Sequence, residues 1–265
     1  MSVQYATPER LKDRLTLHER FAPEQEPFHS WLFRQVQAPQ DAEVLEVGCG
    51  SGHLWTVVAP LVPQGWRLTL SDPSEGMLAE TRANLQRVGL KADLRKHTAA
   101  ETPYEDARFD IAFANHMLYL VPDVYAAVAE LRRVLKPGAR LYAATNATSH
   151  LREMHEELAR LHEALPELDV ERVDLRRFAL DTGEEVLAAY FDEVRVFESR
   201  DSLVVTEAEP YVRYVLSLVN SPVEQVLGAD PDAAARFRAW RESVAARFAQ
   251  GPVRVNRLSG FFEAF

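Results

Sequence analysis

The chain has 265 residues, 47% of them hydrophobic, and a formal net charge of -10. That length can bury one sizeable core, as a single large domain or a domain with a lobe. The acidic balance argues against nucleic-acid backbones and anionic membranes as default partners, because both reward clustered Lys and Arg, and a single cysteine, Cys49, excludes an intrachain disulfide and makes a thiolate metal cluster a poor expectation.

The opening stretch MSVQYATPERLKDRLTLHERF mixes charges and lacks the apolar centre of a signal peptide. No segment is long and apolar enough to span a bilayer, so a cytosolic protein is expected. Residues 9–20 and 27–36 space Leu11, Leu15 and Leu17, then Phe28, Trp31, Leu32 and Val36, as helices do, which predicts an N-terminal helical cap over residues 1–41. From Ala42 the pattern changes. VLEV reads as a strand, residues 53–61 as a helix, and WRLTLS as a second strand ending at Asp72. Met77, Leu78, Thr81, Leu85 and Val88 mark a helix face that Gly89 closes in a left-handed cap. A short strand near 92–95 and a stronger one at 109–114 follow. Pro122 is placed in the first turn of a helix carrying Val124, Val128, Leu131, Val134 and Leu135, which KPG ends before the strand ARLYAATN. Strands alternating with helices predict a doubly wound parallel sheet with right-handed crossovers.

After Asn146 the rhythm breaks. Helices are expected at 149–165, 183–190, 207–218 and 232–249, a strand at 193–206, and an edge strand in the closing VRVNRLSGFFEAF. The resulting division is a cap (1–41), a core (42–206 with 251–265), and a helical insertion (207–250) shaping a pocket.

VLEVGCGSG, residues 44–52, carries the first chemistry. In a doubly wound sheet ligands sit beyond the carboxyl ends of the strands, where strand order reverses. There Gly48 makes the turn out of the strand, Gly50 leaves the main chain open to a ligand, and Gly52 permits close helix packing. Such a loop presents N–H groups to an anionic group, although an ordinary tight strand-to-helix connection also explains it. A dinucleotide fingerprint requires glycine where His53 stands, and no Gly-Lys-Ser or Gly-Lys-Thr ends the loop as in a phosphate-binding P-loop. Asp72, twenty residues beyond Gly52, can accept hydrogen bonds from both hydroxyls of a ribose or start the helix at PSEGML. Together the loop and the acid define a nucleoside site without a pyrophosphate.

VLEVGCGSG, LTLSDPSEGML, FDIAFANHMLYLVPD and LRRVLKPGARLYAATN resemble, in order and spacing, the motifs of the class I S-adenosylmethionine-dependent methyltransferases, small-molecule type, of the methyltransferase domain 11 or 25 kind. The likeness covers about residues 40–147; the flanks match loosely. It implies an α/β fold with a seven-stranded, mostly parallel, Rossmann-like sheet, S-adenosylmethionine as cofactor, and methyl transfer. By the same resemblance Glu46, Gly48, Cys49, Gly50 and Ser51 surround the methionine part of the cofactor, and Asp72, followed by Pro73, holds the ribose. Met77 packs on the adenine or is plain core. Thr98 stands where the family often has an acid for the adenine amino group, so only a hydroxyl, with the Ala99 backbone, is available there. Asn115 and His116 stand at the methionine end and the mouth of the acceptor pocket.

Sulfonium chemistry asks mainly for positioning. If a base is used, His116 is the first candidate, expected to titrate near neutrality, and Tyr119 the second. His150 and His155, Tyr5, Arg14 and His18, and Tyr211 and Tyr214 are weaker candidates, each explained as well by a solvated or core face. A cytosine C5 mechanism needs a free nucleophilic cysteine and Cys49 is in the loop; the Pro-Pro-aromatic motif of amino-base methylation is replaced by NHML; no Asp and Asn cluster suggests a metal. A small-molecule acceptor is therefore expected, with no nucleic-acid or membrane partner, no metal, and a monomer or homodimer. An RNA or protein methyltransferase, which would show a basic groove, a cofactor-binding protein without transferase activity, and a nicotinamide oxidoreductase are the alternatives.

Overall fold

The computed structural model describes residues 13, 16–18, 20–22, 26–170 and 175–265. Tyr5, Leu11, Arg14 and Leu15 lie outside the described residues. The strands are β1 (Glu43–Val47), β2 (Arg67–Ser71), β3 (Ala92–Arg95), β4 (Phe109–Asn115), β5 (Leu135–Asn146), β6 (Val194–Val205) and β7 (Val253–Ala264). The α-helices are α1 (Phe28–Arg34), α2 (His53–Val58), α3 (Glu75–Val88), α4 (Val124–Val134), α5 (Arg152–Ala164), α6 (Gly183–Ala188), α7 (Ala208–Ser217), α8 (Val223–Ala229) and α9 (Pro231–Phe248).

The seven strands form one sheet in the order β3-β2-β1-β4-β5-β7-β6. β1 to β5 pair in parallel, and β7 runs antiparallel to β5, from Leu141 opposite Ala264 to Asn146 opposite Ser259. The mostly parallel doubly wound sheet expected from the sequence is therefore present. The closing segment is not an edge strand, however: β7 lies inside, between β5 and β6, and its 260–264 stretch is buried.

The elements follow from local chemistry. β1 and β4 are buried along almost their whole length because helices cover both faces of a parallel sheet. α3 begins where Ser74 Oγ accepts from Met77 N (3.3 Å) and ends at Gly89, whose φ of 73° is the left-handed cap conformation. α4 buries Val124, Ala127, Val128, Leu131 and Val134 on one stripe. Its cap is Asp123, whose carboxylate accepts from Ala126 N (3.0 Å), so Pro122 precedes the helix and does not sit in its first turn. Helical residues 59–61 after α2 are 3-10, and α5 starts three residues later than expected because 149–151 form a turn.

The described residues divide into two compact units: those within 26–148, 174–199 and 259–265 form one, and those within 1–25, 149–173 and 200–258 the other. In the first, Leu32, Val44, Trp55, Leu70, Ile111, Phe113, Tyr142 and Phe261 belong to one buried cluster. In the second, helices α5, α7 and α9 bury Leu158, Leu161, Tyr211, Val215, Trp240 and Val244 around Leu203, Val205 and Val255. That core encloses one carboxylate, Glu157, which accepts from Trp240 Nε1 (2.8 Å) and pairs with Arg160 (3.0 Å) and Arg247, the partners a buried charge requires.

Candidate active site

Strand order reverses between β1 and β4, the place where an open α/β sheet leaves a crevice at its carboxyl ends. The glycine loop leaves β1 there, and Asn115 and His116 leave β4. Gly48, Gly50 and Gly52 all have positive φ (64°, 54° and 73°). They differ in what surrounds them. A Cβ on Gly48 would lie 2.8 Å from Met117 Cγ, and one on Gly52 2.9 Å from Thr81 Cγ2, so these two permit close packing; Gly50 has nothing within 4 Å and faces open space. The close packing at Gly52 is with α3, through Thr81.

Side chains brace the loop from behind. Thr81 Oγ1 donates to Gly50 O (2.6 Å), Asn84 Nδ2 to Ser51 O (2.8 Å), and Gly52 N to Cys49 O (2.9 Å). Cys49 is buried with its sulfur 3.8 Å from Thr81 Oγ1, and burial first, then the Glu46 charge, push its thiol far above the ordinary range, so it is no nucleophile. Asp72 accepts from Gly50 N through Oδ2 (3.0 Å) and from Ser74 N through Oδ1 (2.8 Å). Each oxygen keeps a further lone pair. The helix cap itself is Ser74, which settles the alternative reading of Asp72 as the capping residue.

Glu46 is buried on β1, and its two oxygens accept from Trp55 Nε1 (2.6 Å) and Asn115 Nδ2 (2.9 Å). Desolvation outweighs these bonds and raises its pKa to about 7. Asn115 Oδ1 is left without a partner, the one buried side-chain polar atom so placed among the described residues. His116 follows with φ 52°, a strained conformation for a residue with a Cβ, held by its N–H bonding Ala144 O (2.8 Å). It does not titrate near neutrality: burial lowers it to about 4, so it is a neutral imidazole at pH 7.

Other expected residues sit less centrally. Met77 is half-buried on the first turn of α3, and Pro73 is exposed. Thr98 is exposed and bridges Glu101, with its carbonyl 2.9 Å from His97 Nδ1; no hydrogen bond joins it to Asp72 or the loop, while the neighbouring Ala99 is buried. Tyr119 is half-buried in a 3-10 turn, Leu118–Leu120. His150 precedes α5 and its Nδ1 accepts from Leu258 N (3.1 Å), a structural role within the helical unit. In that same unit the surroundings of His155 lower its pKa by desolvation, Tyr211 is buried and donates to Glu153 O (3.1 Å), Tyr214 is buried, and His18 lies 3.2 Å from Arg257.

Two features escaped the sequence reading. One is the bracing of the loop by Thr81 and Asn84, with Trp55 holding Glu46 on β1. The other is an imidazole pair beside His116: His29 on α1 and His53 at the start of α2, with ring centroids 5.2 Å apart, and Phe28 5.5 Å from His116. His53 directly after Gly52 was the available signal; His29 had none, since its place depends on how α1 packs. Among the described residues no group of three His, Cys, Asp or Glu is arranged to hold a metal ion, and no helix is long and apolar enough to cross a membrane.

Over part of its length the chain is similar to known proteins. Residues 45–143 match the family model described as a methyltransferase domain. The chain is 36% identical over 99 residues to 2-phytyl-1,4-naphtoquinone methyltransferase of Synechococcus elongatus, covering 37% of this chain and 42% of that protein. It is 34% identical over 110 residues to demethylmenaquinone methyltransferase of Lactiplantibacillus plantarum, covering 40% and 46%. The chain thus spans less than half the length of these curated relatives. A crystal structure from Bacillus halodurans, solved as a candidate methyltransferase, superposes with a TM-score of 0.59 at 17% identity, over 89% of this chain and 97% of that one, which shows a shared fold. Residues 45–143 thus match a methyltransferase domain, and the chain shares its fold with the Bacillus halodurans structure.

Proposed function

We propose that this protein binds S-adenosylmethionine at the β1–β4 crevice and transfers its methyl group to a small molecule. The observation that carries the reading is the pairing of Asp72 with Gly50 N beneath a loop in which Gly50, of the three glycines, is the one that faces open space. The residues present fit the cofactor: Gly50 leaves room for a ligand against the main chain, Asp72 has lone pairs for two ribose hydroxyls, and Asn115 Oδ1 is an unpaired acceptor beside the Glu46 carboxyl, a suitable setting for an ammonium group. Thr98, which the resemblance puts by the adenine, is exposed and has only a hydroxyl to offer.

When bound, the cofactor supplies a sulfonium methyl that needs no further activation. The chain's work is then positional. Asp72 fixes the sugar, Glu46 and Asn115 fix the amino-acid tail, and His116, neutral at pH 7, accepts a hydrogen bond from the acceptor and holds it toward the methyl group. Orientation of this kind can supply up to about 7–11 kcal/mol of a bimolecular barrier. A small-molecule acceptor is supported by the acidic net charge and by the printed names of the two relatives above, which are those of quinone-pathway methyltransferases.

Incubation with methyl-labelled cofactor and a fractionated cell extract tests this reading. Label entering the low-molecular-weight fraction, with demethylated cofactor accumulating in step, is the expected result. Label confined to RNA or protein would replace the acceptor class, and no transfer at all despite cofactor uptake would leave a binding protein.

A further inference from the structure

The side chains beside the glycine loop form a continuous wall of rings. Phe28 touches His29 (5.7 Å between centroids), Trp31 (5.6 Å) and His116 (5.5 Å), and His29 touches His53 (5.2 Å). Three segments contribute: α1, the start of α2, and the turn after β4. Phe28, His29, Trp31 and His116 are half-buried, and His53 is exposed. None of the ring nitrogens of His29, His53 and His116 has a hydrogen-bond partner among the described residues. Those of His29 and His116 are nonetheless reachable, because among the described residues the only side-chain polar atom both buried and unpartnered is Asn115 Oδ1. Unpartnered imidazole nitrogens in a ring-lined wall call for a ligand that brings its own donors and acceptors.

We propose that Phe28, His29, His53 and His116 form the acceptor-binding wall, and that the acceptor is a planar, uncharged ring carrying hydroxyl groups. This rests on the methyltransferase reading above. The ring faces match Phe28 and Trp31, which gain from stacking and from apolar burial. The hydroxyls match the imidazole nitrogens, each of which donates or accepts according to its tautomer. No Lys, Arg, Asp or Glu belongs to the wall, so a carboxylate or ammonium acceptor would be desolvated there without a counter-charge. Burial keeps His29 and His116 neutral at pH 7, His29 further lowered by its two histidine neighbours, in keeping with an uncharged ligand.

The test is calorimetric titration of the full-length protein with 1-naphthol, a similar-sized primary amine, and a similar-sized carboxylic acid, each with and without saturating S-adenosylhomocysteine. The wall predicts that 1-naphthol binds and the charged probes bind at least tenfold more weakly. Phe28→Leu and His29→Gln should each weaken 1-naphthol about three- to tenfold, while the dissociation constant for S-adenosylhomocysteine stays within about twofold. Preference for either charged probe, or 1-naphthol binding unaltered in both variants, overturns the wall. So does absence of 1-naphthol binding in both states. Failure of the unsubstituted protein to take up S-adenosylhomocysteine, with 1-naphthol still bound, contradicts the cofactor reading instead.

Discussion

Glu46 shows how a single buried group can report on the site. Its pKa near 7 belongs to the ligand-free protein, where desolvation dominates. A cationic ligand beside it favours the carboxylate, so binding releases a proton and the bound-state value falls. The sign follows: affinity for S-adenosylmethionine rises with pH up to about 7, by at most tenfold per unit, and is flat above it. Calorimetry from pH 5.5 to 8.5 checks this, and Glu46→Gln should flatten the profile while weakening binding; an unchanged slope in that variant contradicts the assignment. Glu46 was legible because it stands in a motif. Its partners were not, since Asn115 lies 69 residues away and meets it through the β1–β4 pairing, while Trp55, 9 residues away, meets it through the packing of α2. The same limit applies to His116: its position was readable from the end of β4, but its low pKa follows from Phe28 and its other neighbours closing around it, which no spacing rule encodes.

At the scale of elements, the loop separates packing from binding. Gly48→Ala places a methyl 2.8 Å from Met117 Cγ at a positive φ, and should lower stability by about 2 kcal/mol or more. Gly50→Ala meets no neighbour, so it carries only the left-handed backbone cost of about 1–2 kcal/mol, yet the methyl enters the space left for the ligand. Urea denaturation and cofactor titration of both variants should therefore diverge: Gly50→Ala is expected to retain the fold and lose at least tenfold in affinity. Equal affinity in Gly50→Ala and the unsubstituted chain would mean that the open face is not the cradle. Strand, helix and cap at 43–95 were legible because apolar runs, Ser74 and Gly89 act locally. α8 was not, since Val223–Ala229 carries a weak apolar pattern and is set off only by Asp230 and Pro231, the cap and first residue of α9. β7 looked like an edge strand because its first half alternates; its neighbours are chosen by topology.

For the whole molecule, burial of neutral histidines sets the response to acid. His18 and His116 are lowered to about 4 and His29 to about 3, so between roughly pH 6.5 and 4 the unfolded chain binds protons that the folded chain does not. Folded stability is lost as pH falls through that window. Glu46 has the opposite sign, since its raised value favours the folded state at low pH and that advantage fades as pH rises to about 7. Three groups outweigh one, and the net slope should be on the order of 2 kcal/mol per pH unit. Melting temperature should drop steadily from pH 6.5 to 4.5; a flat or rising profile would show that these imidazoles are not buried neutral. The ligand-free fold must in turn be stabilised by whatever occupies the crevice.

Uptake of S-adenosylmethionine by the unsubstituted protein and by Asp72→Ala, compared by calorimetry at pH 7.5, tests the central claim most directly. One site per chain, weakened about 10- to 100-fold by loss of the carboxylate that would hold the ribose, is the predicted result. No measurable uptake, or equal affinity in the two proteins, would contradict it.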